Sequence, residues 1–470
     1  MLPASQRPFL LALALASACA RPAFAPSAPG GVAPVWQYEV TSTQGGAELE
    51  VRASFPAGSD DEIGTVDRAE PFATDVEWEG PAGWAPVKRV AASWIVPACR
   101  TGCRLRYRYE LREAAIAFDD VATARLVGAA IESPPSTWLL RPTRAVPSTR
   151  IRFHVTPAPG EAFVSGVFPA DTPGTFEAGV GEYMQLPYSA FGPMQVHELA
   201  QGGATLAILP GKVVLPDLLL WAEEALATVQ GFYGRLPLRH VLILVRPGDG
   251  DEVGFGSTMG YSGGAIAIDV GSEATAQAFR KDWVLVHELV HTALPDLTRD
   301  HHWLEEGLAT YVEPLARARR GAITPGEVWG EWAKSMQQGE PADGDQGLDR
   351  THTWGRTYWG GALFCLVADI EIRKQSRGKA SLEDALRAVV NAGGSIAVEW
   401  PIERILSVGD AATETHVLED LYARMSRSAS PVDLPALWRE LGVVALRDGT
   451  ASMDDTAPLA WVRKAMTPAR

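Results

Sequence analysis

Five residues, His287-Glu288-Leu289-Val290-His291, carry the most chemistry in this 470-residue chain. Two histidines four residues apart on a helix share one face, so both imidazoles can converge on one Zn²⁺, while Glu288, one step round, reaches a water beside the ion. A carboxylate from a following helix would complete such a site. Glu305 and Glu306, in Trp303-Leu-Glu-Glu-Gly307, both offer one, and residues 292–305 are enough for a loop and the start of a second helix. Two imidazoles, a carboxylate and an adjacent base are the equipment of zinc-dependent peptide hydrolysis. The competing reading is a helix whose two histidines only satisfy core hydrogen bonds. Three further groups stand close in sequence. His301 and His302, after Asp300, could touch substrate or replace a ligand, or could cap the next helix at the surface. His352 and Arg356 could assist an oxyanion or lie in a solvated turn.

The elements that must position these groups follow from periodicity. An apolar-periodic run from Lys281 to Leu294 makes the motif helical, and Glu305 to Arg319 continues as helix, with Pro314 as its expected break or end. Ahead of the motif, Pro216 to Tyr233 has helical spacing and His240 to Val245 reads as a buried strand. Gly264 to Asp269 reads as a short strand after a glycine-rich loop. Behind it, Gly321 to Arg350 reads as a polar, glycine-containing excursion. Helices are expected again at Thr357 to Arg373, Leu382 to Asn391, Thr413 to Ser426 and Pro435 to Leu441. From Trp36 to about Ile208 short runs alternate apolar with polar residues, as in Trp36-Gln-Tyr-Glu-Val and Leu105-Arg-Tyr-Arg-Tyr-Glu-Leu, which predicts a β-sandwich or two small sheets.

Composition bounds the partners. With 46% hydrophobic residues the chain can bury sizeable cores, and a net charge of −15 argues against a phosphate-binding surface, so nucleic acid is not an expected partner. Arg7, the apolar run Phe9 to Ala18 and the small residues before Cys19 read as an export signal. That run is too short to span a bilayer, and no transmembrane span is expected elsewhere. The mature protein is expected to be periplasmic, outer-membrane-anchored or secreted, with a lipid anchor at Cys19 as the alternative to simple removal of the signal. Cys99 and Cys103 could close a small disulfide loop in an oxidising compartment, and Cys365 sits in an apolar run as a buried core residue. The expected division is 1–18 signal, 19–35 flexible linker, 36–208 β-rich domain, 209–354 metal-motif subdomain, 355–446 helical subdomain and 447–470 tail.

Three segments together resemble a known family. His287-Glu-Leu-Val-His291, Trp303-Leu-Glu-Glu306-Gly307-Leu-Ala309 and Tyr358-Trp-Gly-Gly361 look like the HExxH, WLxEGxA and YxxG signatures of gluzincin metallopeptidases. Ala368 to Arg373 and Lys379 to Arg387 are similar to the glycyl aminopeptidase family in particular. The resemblance covers about residues 36–445, and Trp94 to Tyr109 resembles the end of that family's N-terminal β-domain. It implies a multidomain α+β chain: a β-sandwich-like region, then a thermolysin-like zincin catalytic domain with a helical C-terminal part. It also implies His287, His291 and Glu306 as ligands of one Zn²⁺, with Glu305 as a neighbour, and Glu288 as the base. Tyr358 matches the tyrosine whose hydroxyl donates to the oxyanion, although an aromatic opening a helix also serves as core packing.

Two departures bear on substrate. Family aminopeptidases hold the substrate's α-amine with a glutamate, whereas Gly254-Phe-Gly-Ser-Thr-Met-Gly260-Tyr-Ser-Gly-Gly264 contains no acid; Asp251, Glu252 and Asp269 lie nearest in sequence. Thr310 stands where thermolysin-like sites often place an orienting acid. Three readings follow. The first is an exported zinc metallopeptidase acting on peptide or protein. The second is an aminopeptidase with an unidentified amine anchor. The third is a non-catalytic envelope binding protein whose metal site is structural or vestigial.

Overall fold

The N-terminal strands form because single residues alternate between two environments. In β1 (Val35–Ser42) Trp36, Tyr38 and Val40 are buried while Gln37, Glu39 and Thr41 face out, and β2 (Leu49–Phe55) keeps the same period. A computed structural model describes residues 33–468 except 98 and 201, so the expected signal and Cys19 lie outside the described residues. Residues Pro34–Arg470 cluster as one compact unit. Five more strands join the first two: β3 (Ala73–Gly80), β4 (Gly83–Pro86), β5 (Cys103–Tyr109), β6 (Arg150–Thr156) and β7 (Thr175–Gly179). The sheet runs β7-β6-β1-β2-β5-β3-β4 and is antiparallel except where β1 lies parallel to β6. Two four-stranded sheets accompany it. A disulfide joins Cys99 to Cys103, with Cα atoms 4.6 Å apart, at the start of β5. The β-rich half also holds a helix that the strand pattern hid, α1 (Leu111–Phe118).

A further, five-stranded sheet positions the motif. Its strands are β8 (Gln195–Glu198), β9 (Ala204–Ile208), β10 (Val241–Gly248), β11 (Val253–Met259) and β12 (Ala265–Gly271), in the order β8-β9-β10-β12-β11. Helix α2 (Leu215–Tyr233) makes the crossover between the parallel pair β9 and β10. Val241 to Val245 are buried on both faces, as a central strand between parallel neighbours requires. The expected boundary at 208/209 falls inside this sheet, because β8 and β9 pair onward to β10. The segment expected as a glycine-rich loop is the strand β11, at the sheet edge and antiparallel to β12. Its glycines supply a flat surface where other groups come close, not a turn.

The helices correct the sequence reading in four places. The motif helix α3 (Val284–His291) is followed by α4 (His302–Arg320), which runs straight through Pro314. The missing N–H there costs α4 one backbone bond, but Leu315, Ala316 and Ala318 are buried beyond it and hold the last turn in place. The expected polar excursion contains α5 (Pro325–Ser335), started by a reciprocal capping box between Thr324 and Glu327 and burying Val328, Trp329 and Trp332. After a single π-turn, Arg356–Gly360, come α6 (Gly361–Gln375) and α7 (Leu382–Asn391). An unexpected helix, α8 (Ile402–Thr413), ends at Glu414 in the left-handed region, and the helix expected at Thr413 to Ser426 is the shorter α9 (Val417–Met425), which starts where Asp410 accepts the Leu418 and Glu419 N–H groups. The expected tail contains strand Ala451–Met453 and helix Ala460–Met466. One core extends from Leu199 to Met466, across the expected boundary at 354/355. Among the described residues no helix is long and apolar enough to cross a membrane.

Candidate active site

Helix α3 is anchored at its start by Asp282, whose carboxylate accepts the Val284 N–H at 2.9 Å, the Leu285 N–H at 3.2 Å and the Trp221 indole N–H at 2.9 Å. From that fixed end the helix turns His287, Glu288 and His291 to one side, their ligand atoms all within 4.8 Å of one another. The two imidazole rings are 4.9 Å apart and nearly perpendicular. Burial pushes the His291 imidazole down to about 4, so its ordinary state is neutral and free to donate a lone pair.

Glu306 meets this pair from α4, and Glu305 does not. One oxygen of Glu306 lies 3.3 Å from His287 Nε2 and 3.7 Å from His291 Nε2. Glu305 turns away, accepting the Leu297 N–H at 3.0 Å and meeting His302 Nδ1 at 2.9 Å. His302 bridges the two acids, since its Nε2 is 3.4 Å from the second oxygen of Glu306. Trp303 fixes the start of α4: it is 1% exposed and its indole N–H donates to Asp349, which also accepts from the Tyr422 hydroxyl. His301, by contrast, faces Thr298 and Tyr422.

Glu288 is held by the sheet edge. The Thr258 hydroxyl on β11 donates to its carboxylate at 2.6 Å, and Gly256 leaves the room for it, because a Cβ there would stand 2.7 Å from Glu288 Cγ. Burial raises the Glu288 carboxyl above the usual carboxylate range, against the Thr258 hydrogen bond and the His287 ring. Tyr358, on the π-turn, has its hydroxyl pushed up to about 12 by burial and by Glu306, and Trp354 stacks on its ring at 5.6 Å. The motif glycines explain how α6 gets close enough. A Cβ on Gly307 would collide with the Gly361 backbone, and one on Gly361 with the Trp303 carbonyl. Arg356, one of two groups for which a solvated turn was the alternative, is buried: it pairs with Asp345 at 2.8 Å and donates to the Gly339 carbonyl, while His352 is exposed.

His287, Glu288, His291, His302, Glu306 and Tyr358, with Thr258 and Glu305, line a cleft of about 820 Å³. Asp251, Glu252 and Asp269 are not on its walls; the acids that are, besides those above, include Asp296, which accepts from the Tyr261 hydroxyl. Sequence reasoning had no signal for Thr258 or Asp296, and left His302 undecided between site and cap.

The spacing of Glu306 from each imidazole fits a zinc ion, and the Glu288 carboxylate also lies within 4.8 Å of both histidines' ligand atoms. Two donors, each roughly 2.0–2.2 Å from a tetrahedral ion, stand roughly 3.3–3.6 Å apart. Glu306 stands at 3.3 and 3.7 Å from the two imidazole nitrogens.

No family model and no curated protein sequence matches this chain. Its fold does match solved structures. An aminopeptidase N family protein from Idiomarina loihiensis superposes with a TM-score of 0.64 at 14% identity, covering 87% of this chain and 78% of that chain. An M1 zinc metallopeptidase from Deinococcus radiodurans gives 0.50 at 15% identity, covering 86% and 95%. The chain therefore shares the fold of these two structures.

Proposed function

We propose that the chain is an exported zinc metallopeptidase that hydrolyses peptide bonds, with one Zn²⁺ held by His287, His291 and Glu306. The observation that carries this reading is the spacing of Glu306 from the two imidazoles, with Glu288 and Tyr358 on the walls of the same cleft. Bound there, the ion supplies a Lewis acid for the scissile carbonyl and for water. Glu288 takes the proton from the attacking water and returns it to the departing amine nitrogen. The Tyr358 hydroxyl donates to the carbonyl oxygen as negative charge gathers on it, and a donor fixed in advance costs no reorganisation at that moment. His302 keeps the Glu306 carboxylate turned toward the imidazoles. Both solved neighbours carry peptidase names, which supports the reading, and the Cys99–Cys103 disulfide suits an oxidising compartment outside the cytoplasm.

A second reading, aminopeptidase, is favoured by one observation: Asp296 and Glu305 give the cleft acids that the β11 segment lacks. One experiment tests both. Metal content is measured, and peptides with free and with acetylated N-termini are digested with and without chelator. Chelator-sensitive cleavage of both at similar rates supports the first reading. A preference of more than about tenfold for the free amine, which Asp296→Asn removes, supports the second. Stoichiometric zinc without any hydrolysis would leave only a binding role.

A further inference from the structure

A second cavity, of about 670 Å³, shares Trp283, His287 and Tyr358 with the cleft. The rest of its wall comes from α4 beyond Glu306 and from α5, together with the segment around Trp354. Trp332, Trp354 and Trp359 give it aromatic faces, and Pro314, Ile323 and Val328 aliphatic ones. Its charged neighbours are already engaged. Glu313 and Arg317 are buried and paired at 2.7 Å, Glu327 closes the Thr324 capping box, and Glu331 accepts from the Ser335 hydroxyl at 2.6 Å. Only Glu313 has its charge met, by Arg317, while Glu327 and Glu331 bond neutral donors at the rim; an apolar group entering between the aromatic and aliphatic faces would be surrounded.

Two further observations point to an occupant. Trp283 and Trp354 are 51% and 61% exposed, large apolar surfaces left in water beside the reacting groups. Trp332 is 1% exposed and stacked on Tyr311, so its part of the wall is a fixed aromatic surface.

Resting on the peptidase reading, we propose that this cavity takes a bulky aromatic side chain of the substrate, on the residue next to the bond that is cut. An aromatic side chain buries roughly 150–250 Å² and so gains far more here than a methyl group does. The chain thus selects peptides by an aromatic residue beside the scissile bond, through a pocket that α4, α5 and the segment around Trp354 build together.

The test uses acetyl-Ala-X-Ala-amide peptides with X as Phe, Ala or Lys. Binding is measured by calorimetry to zinc-loaded Glu288→Gln protein, and hydrolysis by wild type is followed in parallel. The expected result is Kd at least about tenfold lower for Phe than for Ala or Lys. Ile323→Trp, which fills the cavity, is expected to abolish that difference in Kd. Ile323→Ala, which enlarges the cavity, is expected to keep the preference and guards against a folding defect in the larger variant. Selective binding of the Phe peptide without any wild-type hydrolysis would uphold the cavity and overturn the peptidase reading. Hydrolysis without a Phe preference, a preference for Lys, or a Phe preference untouched in folded Ile323→Trp would overturn the cavity and leave the peptidase reading standing.

Discussion

Glu288 touches both halves of the chemistry: Thr258 holds it from the sheet edge, and it shares a helix face with His287 and His291. Glu288→Gln keeps the shape and all three metal donors. We expect full zinc content and a fall in kcat of at least about 10²-fold, read by metal analysis and steady-state kinetics on one preparation. A variant that loses zinc would show that Glu288 is a ligand. The paired acids make a sharper case. Because only Glu306 faces the imidazoles, Glu306→Ala should lose stoichiometric zinc and Glu305→Ala should retain it. His302→Ala should retain the fold but bind zinc about 10–100-fold more weakly, the usual effect of losing a group that orients a ligand, measurable by competition with a chromogenic chelator. Unchanged affinity would make His302 a bystander.

At the scale of elements, the site depends on close approaches that only glycine permits. Gly307 and Gly361 bring α4 against α6, which seats the π-turn carrying Tyr358 beside Glu306. Gly307→Ala must push the two helices apart. Overpacking of this kind costs typically about 1–3 kcal/mol, so a lower denaturant midpoint is expected together with a loss of kcat larger than any loss of zinc. Gly256→Ala is the contrasting case, since its Cβ would press on Glu288 Cγ and Val284. Activity should fall there with little change in the denaturant midpoint, because β11 is an edge strand; a drop in stability as large as that of Gly307→Ala would show that the strand bears more of the fold.

For the whole molecule, the metal should contribute to stability as well as to chemistry. A ligand that binds only the folded state at about 100 times its Kd adds about 2.7 kcal/mol, so chelator-stripped protein should melt at a lower temperature and recover both its melting point and its activity on addition of Zn²⁺. Identical melting curves with and without chelator would argue that no resident metal is lost. How much of this was legible beforehand differs by feature. The pattern of His287, Glu288 and His291 needs only helical spacing, and the alternation of β1 and β5 needs only one buried face, so local sequence suffices. The edge strand β11 was hidden because its glycines answer to Glu288 and Val284 from another element. Helix α5 was hidden because its buried tryptophans stand among polar residues, although Thr324 and Glu327 had written its cap. Pro314 failed as a stop signal because packing beyond it outweighs one lost hydrogen bond. The boundary at 208/209 misled because a strand's partner lies across a crossover, which composition does not register. The glycine contact between α4 and α6 also sets a schedule. The three metal donors are complete by residue 306, but Tyr358 and the glycine that seats it come more than fifty residues later. On the proposed reading, a nascent chain ending before Tyr358 lacks the hydroxyl assigned to the oxyanion, so full turnover would wait until the helix behind the π-turn has been made and docked.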